Sequence, residues 1–298
     1  MKEITVISGK GGTGKTSVAA ALITAALVKS ESSLVLCDGD VDAPDLHLLL
    51  DTNTKETHVF EGNWVASIDP EGCTACGICL EYCRFDAIQF NGSETPDIDP
   101  FRCEGCRLCE RICPSGAIHS VRSANNHWFV SGTRHGTFVH ARMGPGEENS
   151  GKLVTRVRQR AKEEAIREQA DYLITDGPPG TGCPAIAALT GTHLALLVME
   201  PTQSSLHDAE RIIDLIKRFN LPVAAVINKA DLHHGVTERM EMFLKERGIP
   251  LAGKIPFDPT IVEAMVNARS VIEFAPDAKA SLVIMQIWHN IEALLEKG

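Results

Sequence analysis

The chain opens with a short apolar run, Ile4–Ile7, followed by an alanine-rich segment of helical spacing from Thr16 to Lys29. The same alternation returns further on. Ser33–Cys37, Tyr172–Asp176, His193–Met199 and Pro222–Ile227 are apolar stretches of strand length, and Lys152–Gln169, Ser204–Phe219 and Lys279–Lys297 have helical spacing. Strands without polar alternation are buried on both faces, and strands joined through helices return parallel. The pattern therefore predicts an α/β fold, a mostly parallel sheet with helices on both faces. The final helix carries Leu282, Met285, Trp288, Ile291 and Leu295 on one side and few positive charges. That face is expected to pack on the core and not on a membrane surface.

From Trp64 to about Val121 the pattern breaks. Short strands, Val65–Ile68 and Ile118–Arg122, bound this stretch, and pairing between them would close it as an insert at little loop-closure cost. The expected organisation is a host domain in two parts, 1–62 and 122–298, around an insert at 63–121, placed after the second helical region of the host. Beyond the insert, Trp128–Val130 and Thr137–His140 read as a strand-loop-strand. His135 and His140 show no paired ligand spacing and are given no metal.

Between the first strand and helix lies Gly9-Lys10-Gly11-Gly12-Thr13-Gly14-Lys15-Thr16-Ser17. Glycines at 9, 11, 12 and 14 allow the backbone N–H groups to surround a phosphate chain, and the helix that follows adds its positive end. Lys15 would reach the β- and γ-phosphates and Thr16 would hold Mg²⁺. Two other strands end in carboxylates, one in Asp38-Gly39-Asp40 and one in Asp176, where open α/β sheets bind ligands. Asp176 is placed to hold a Mg²⁺-bound water. Gly177–Gly182 reads as a γ-phosphate-sensing switch.

Lys10 makes the motif more specific. Lys10-Gly-Gly-Thr-Gly-Lys15-Thr16 resembles the deviant P-loop of MinD-type ATPases, a family that includes Mrp-type iron–sulfur carriers and the nitrogenase iron protein. The resemblance implies ATP hydrolysis by a sandwich dimer, with Lys10 reaching the partner's phosphates. It also implies that Asp40 orients the attacking water and that Asp38 supports Mg²⁺ or its water shell. Lys10, Lys15 and Asp40 are thus the catalytic candidates. Asn228, in Asn228-Lys229-Ala230-Asp231, would touch the adenine edge, and Pro256 would help to close the base pocket.

Cys73, Cys76, Cys79 and Cys83 have the spacing C-x₂-C-x₂-C-x₃-C, and Cys103, Cys106, Cys109 and Cys113 repeat it 30 residues later, before Pro114. In two-cluster ferredoxins the fourth cysteine of each run serves the other cluster. The spacing thus predicts one 4Fe–4S cluster on Cys73, Cys76, Cys79 and Cys113, and a second on Cys103, Cys106, Cys109 and Cys83. Zinc, which favours two separated CxxC pairs, fits less well. The stretch resembles a bacterial two-cluster ferredoxin, with Gly77 and Gly105 expected to let the backbone approach sulfide. Arg84 departs from the proline that often follows the first run.

The chain has 298 residues, a net charge of −10, ten cysteines and no apolar run of membrane-spanning length. Neither nucleic acid nor membrane is expected as a partner, and a cytoplasmic location is expected. Residues 64–120 hold nine acidic side chains, four arginines and no lysine, a surface suited to a basic redox partner. Met143–Lys152 reads as a loop before a charged helix and resembles a partner-facing loop of Mrp-type ferredoxin fusions. Cys183 stands outside both runs; the loop that would supply a second cysteine for a cluster shared across a dimer, Met143–Ser150, has none, so it is expected to be a small buried residue. The expected cofactors are ATP or ADP, Mg²⁺ and two 4Fe–4S clusters. The expected assembly is a homodimer or a heterodimer with a sister MinD-type ATPase, acting on a redox or iron–sulfur partner protein. Three uses stay open: ATP-gated electron transfer, cluster carriage or assembly, and a MinD-like positional switch with non-redox clusters.

Overall fold

In chain order the strands are β1 (Lys2–Ser8), β2 (Leu34–Asp38), β3 (Asn53–Phe60), β4 (Trp64–Ile68), β5 (Ile88–Gln89), β6 (Asp97–Ile98), β7 (Ile118–Arg122), β8 (Asn126–Thr133), β9 (Gly136–Arg142), β10 (Tyr172–Pro179), β11 (Leu194–Met199), β12 (Val223–Ile227) and β13 (Leu251–Lys254). The helices are α1 (Lys15–Ser30), α2 (Ile78–Tyr82), α3 (Leu108–Ile112), α4 (Ser150–Arg167), α5 (Cys183–Leu189), α6 (Gln203–Arg218), α7 (His234–Glu246), α8 (Thr260–Val266), α9 (Val271–Phe274) and α10 (Lys279–Lys297). The computed structural model describes residues 1–30, 32–147 and 150–297. The chain divides into two compact units. The first comprises Met1–Thr57, Trp128–Arg142 and Ser150–Gly298, and the second His58–His127 and Met143–Asn149.

Nine strands form one sheet in the order β13-β12-β11-β1-β10-β2-β9-β8-β3. From β13 to β9 all neighbours are parallel. The apolar runs of β1, β2, β11 and β12 lie almost entirely out of solvent, as strands covered on both faces must. One core packs around α1 and α10, and the other around α5, α6 and α7. On α10 the buried side is Ile284, Ile287, Trp288, Ile291 and Leu295, whereas Leu282, expected to pack, is 59% exposed. The stripe is rotated because Ile284 and Ile287, not Leu282, face the sheet, and Trp288 meets Tyr172 edge-on at 5.1 Å.

The strand-loop-strand after the insert is observed as β8 and β9, which lengthen the sheet beyond β2. The stretch expected as an insert, 63–121, starts after β3 and ends before β8. It follows a single α-helix and a 3₁₀ turn at Leu46–Leu49. The edge strand β3 escaped prediction because its sequence, NTKETHVF, is mostly polar and its pattern is largely exposed.

In the second unit β4 pairs antiparallel with β7, and β5 with β6. Ala66, Cys79, Ile88, Ile98 and Ile118 form its small core, with Cys83, Cys103, Cys109 and Cys113 packed against it. The two triplets repeat one backbone shape, because Ala75 and Gly77 have φ of 52° and 77° and their counterparts Gly105 and Arg107 have 64° and 59°. A Cβ on Gly105 would stand 2.3 Å from the Trp64 carbonyl oxygen, so close packing on β4 requires that glycine, and Ala75 and Arg107 turn left-handed without one.

Candidate functional site

The loop between β1 and α1 borders a cavity of about 650 Å³. Gly11 to Ser17 form its floor, Asp40 and Asp42 one side, and Asn228, Pro256, Phe257 and the α8 residues Ile261, Val262 and Met265 the apolar side. Gly12 and Gly14 have φ of 81° and 83°. A Cβ on Gly14 would meet the Asn228 amide nitrogen at 2.3 Å, so strain and space both demand glycine there.

Lys15 is buried at the head of α1, and its Nζ lies 2.7 Å from Asp176 Oδ1 and 3.4 Å from Asp40 Oδ2. The Thr16 hydroxyl donates to the other Asp176 oxygen at 2.7 Å. Asp176 and Asp38 are register partners on β10 and β2, which places two carboxylates side by side, Asp38 at the end of β2 and Asp176 within β10. Asp38 accepts from the Asp40 N–H at 2.9 Å and the Leu46 N–H at 3.2 Å, fixing the loop after β2. Burial, and then the charge of Asp176, push the Asp38 carboxyl well above the usual range. Burial also raises Asp40, with Lys15 opposing. For Lys15, burial would lower the pKa, but Asp176, Asp40 and Asp38 together outweigh it and raise it. The site is thus one buried cation among three carboxylates, and a phosphate chain in the cavity would compete with Asp176 for Lys15 and Thr16.

Lys10 turns to its own chain. Its Nζ lies 2.9 Å from Glu200 Oε1 and donates to Ser204 at 3.0 Å and Thr202 at 3.3 Å. Lys229 reaches Glu200 from the other flank at 3.2 Å and donates to the Gly12 carbonyl. Burial would raise the Glu200 pKa, but the bonds from Lys10 and Lys229 lower it. Neither Glu200 nor the bracing role of Lys229 was read from the sequence. Glu200 follows β11 directly, so the rule that singled out Asp38 and Asp176, a carboxylate at a strand's end, applied to it too. Asn228 borders the cavity, and its amide donates to the Thr13 carbonyl at 2.8 Å, holding the loop from above.

In the second unit the eight cysteines line two hollows in interleaved sets. Cys73, Cys76, Cys79 and Cys113 surround one, and Cys83, Cys103, Cys106 and Cys109 the other. None of the eight is in a disulfide. The Ala75 N–H donates to Cys73 Sγ at 3.4 Å, and Ser115 Oγ lies 3.6 Å from Cys113 Sγ. Burial raises the Cys109 thiol to about 11, and the Ser115 hydroxyl lowers that of Cys113. Among the described residues no group of three or more His, Cys, Asp or Glu side chains is arranged to hold a single metal ion.

Cys183 is exposed at the start of α5, where the sequence suggested a buried residue. The Gly182 bend brings it to the surface beside Gly151, to which an added Cβ would lie 3.1 Å from Cys183 Cβ. In the loop from Met143 to Lys152, residues 148 and 149 lie outside the described residues. His140 is buried and stacks on Phe138 at 4.5 Å, with its Nε2 against Ser131, and His135 meets Glu273. Among the described residues no helix is long and apolar enough to cross a membrane.

The profile of the CobQ/CobB/MinD/ParA nucleotide binding domain matches residues 4–271. An uncharacterized protein of Methanocaldococcus jannaschii, MJ0578, is 32% identical over 98% of this chain and 97% of its own length. A second from that organism, MJ0579, is 26% identical over 92% and 93%. Among solved structures, the septum site-determining protein MinD of Pyrococcus horikoshii, complexed with Mg-ADP, superposes with a TM-score of 0.60 at 18% identity. That match covers 98% of this chain and 96% of that one. A ParA family ATPase of Chlorobium tepidum gives 0.56 at 17%, over 97% and 98%. The names of the family and of the two solved structures speak of nucleotide or of an ATPase, and none mentions iron or sulfur.

Proposed function

We propose that this chain, which belongs to the CobQ/CobB/MinD/ParA nucleotide binding domain family, is a MgATP-hydrolysing protein that carries two 4Fe–4S clusters and couples its nucleotide state to one-electron transfer with a partner protein. For ATP, the support is the cavity beside Gly9–Ser17, with Lys15 and Thr16 at its floor and Asp38, Asp40 and Asp176 around them. Hydrolysis of this kind proceeds by positioning and charge neutralisation, without a covalent intermediate. Lys15 would meet phosphate oxygens, Thr16 and Asp176 would hold Mg²⁺ directly or through water with Asp38 behind them, and Asp40 would orient the attacking water. Mg²⁺ would add a charge that offsets the phosphates. Asn228 and Pro256 would border the base.

For the clusters, the observation that carries the reading is the interleaving of the two cysteine runs. Each hollow takes three cysteines from one run and the fourth from the other, as a two-cluster ferredoxin requires. Thiolates are the donors iron–sulfur clusters use, and an N–H on Cys73 Sγ is the kind of contact that supports a thiolate. When bound, such clusters supply one-electron redox chemistry. The exposure of Cys76 and Cys106 favours a second reading, cluster delivery to a partner. The assembly we infer is a dimer, with itself or with a sister ATPase, in which Lys10 leaves Glu200 for the partner's phosphates.

Protein purified without oxygen is expected to contain about eight iron and eight acid-labile sulfide per chain, with the broad visible absorption of 4Fe–4S clusters. Stoichiometric zinc without sulfide, after anaerobic reconstitution, overturns the cluster reading. Transfer of the iron to an apo-acceptor faster than any electron transfer would favour delivery.

A further inference from the structure

The two cysteine sets are related by the 30-residue repeat, so each serves as a control for the other. Around the set of Cys83, Cys103, Cys106 and Cys109 stand Tyr82, Phe85 and Leu108, which are 55%, 43% and 40% exposed. Their counterparts across the repeat are Ile112, Ser115 and Ile78. Ile112 and Ile78 are half-buried, and Ser115 is polar. None of the large exposed apolar side chains borders the other hollow. The repeat is thus broken in one direction, giving one set an apolar rim open to solvent and leaving the other without it. Large apolar side chains cost solvation when exposed, and a cluster of them rimmed by charge marks an interaction site.

The charges around the rim also break the repeat. Glu104, exposed and bordering the same hollow, stands where the first run has Thr74. Glu81 and Asp86, both exposed, flank Tyr82 and Phe85. Of the nearby cations, Arg107 is held by Glu110 at 2.8 and 3.2 Å and lies over the Trp64 ring, and Arg102 lies 3.5 Å from Asp99, leaving Arg84 and Arg111 against three carboxylates. Four thiolates on a 4Fe–4S core would add further negative charge.

We propose that Tyr82, Phe85 and Leu108 form the docking port for a basic one-electron carrier protein, so that electrons pass through the Cys83, Cys103, Cys106 and Cys109 site. The proposal rests on the cluster reading above. The apolar rim excludes water and supplies contact, and the acidic border selects a cationic face and speeds encounter. The exchange is a single electron, lost at that site and gained by the carrier's one-electron centre, with no bond made or broken.

The test uses the full chain with its iron and sulfide measured, reduced by dithionite and mixed in a stopped-flow instrument with cytochrome c, a lysine-rich one-electron haem protein. At low ionic strength Phe85→Ser and Glu104→Lys should each slow its reduction by about tenfold or more, and salt should erase the Glu104→Lys effect. Thr74→Lys, at the mirror position, should stay within about twofold of the wild type. Glu104→Lys changes an exposed side chain, so it keeps the test decisive if Phe85→Ser fails to load. Protein without acid-labile sulfide overturns the cluster reading and the port with it. Fully loaded variants with unchanged rates, or equal slowing by Thr74→Lys and Glu104→Lys, overturn the port and leave the cluster reading standing.

Discussion

Replacing Lys15 with methionine should destabilise the nucleotide-free protein, and acid should partly repair it. The methionine keeps most of the apolar stem but removes the one cation that stands 2.7 Å from Asp176 and 3.4 Å from Asp40, in a site where Lys15 is 6% exposed. Removing one partner of a buried ion pair costs about 3 to 5 kcal/mol, because the other charge stays buried without compensation. Here Asp38, Asp40 and Asp176 would remain together. Burial raises Asp38 and Asp40 even with Lys15 present, and its loss would raise them further. A carboxyl whose folded pKa is raised contributes stability below its unfolded pKa and loses it as pH climbs through the folded pKa. For one proton bound only by the folded protein, the slope is about 1.4 kcal/mol per pH unit. In EDTA without nucleotide, the deficit at pH 7 should therefore shrink by up to about 2.7 kcal/mol at pH 5. Unfolding by heat or urea at both pH values measures it, with MgATP added in parallel. Wild-type protein should gain about 2.7 kcal/mol at a hundredfold excess over Kd, and the variant nothing. A variant as stable as wild type at pH 7, or a deficit that widens on acidification, refutes the reasoning.

Lys10→Ala should still bind ATP but fail to dimerise or hydrolyse it, since Lys10 rests on Glu200 outside the cavity lining while Lys15 forms the floor. Nucleotide binding, light scattering and phosphate release read the three properties separately, and normal turnover by a monomer sinks the sandwich arrangement. Cys183→Ala should leave the iron content of the isolated protein unchanged even though Cys183 is exposed, because a lone thiolate per chain offers two across a dimer and a cubane takes four. Loss of about half a cluster per chain, by iron analysis and electron paramagnetic resonance, would count against that.

What could be read in the sequence was whatever depends on local spacing. The apolar runs predicted the parallel strands because strands buried on both faces cannot carry polar alternation, and β1, β2, β11 and β12 obey that rule. The steps between cysteines match the two sets of four that share a hollow, and the backbone of each triplet turns left-handed at matching positions. Contacts between distant segments were not legible. Lys10 meets Glu200 across 190 positions and Lys15 meets Asp176 across 161, and only the strand order 11-1-10-2 brings them to one edge of the sheet. That order also explains why the site gathers so many carboxylates. Parallel neighbours run in the same direction, so Asp38 at the end of β2, Asp176 beside it on β10 and Glu200 just after β11 arrive near the loop that follows β1. The loop's lysines then divide the work by position: Lys15, at the head of α1, meets Asp176 of β10 and Asp40 just beyond β2, and Lys10, before the turn, meets Glu200 just beyond β11.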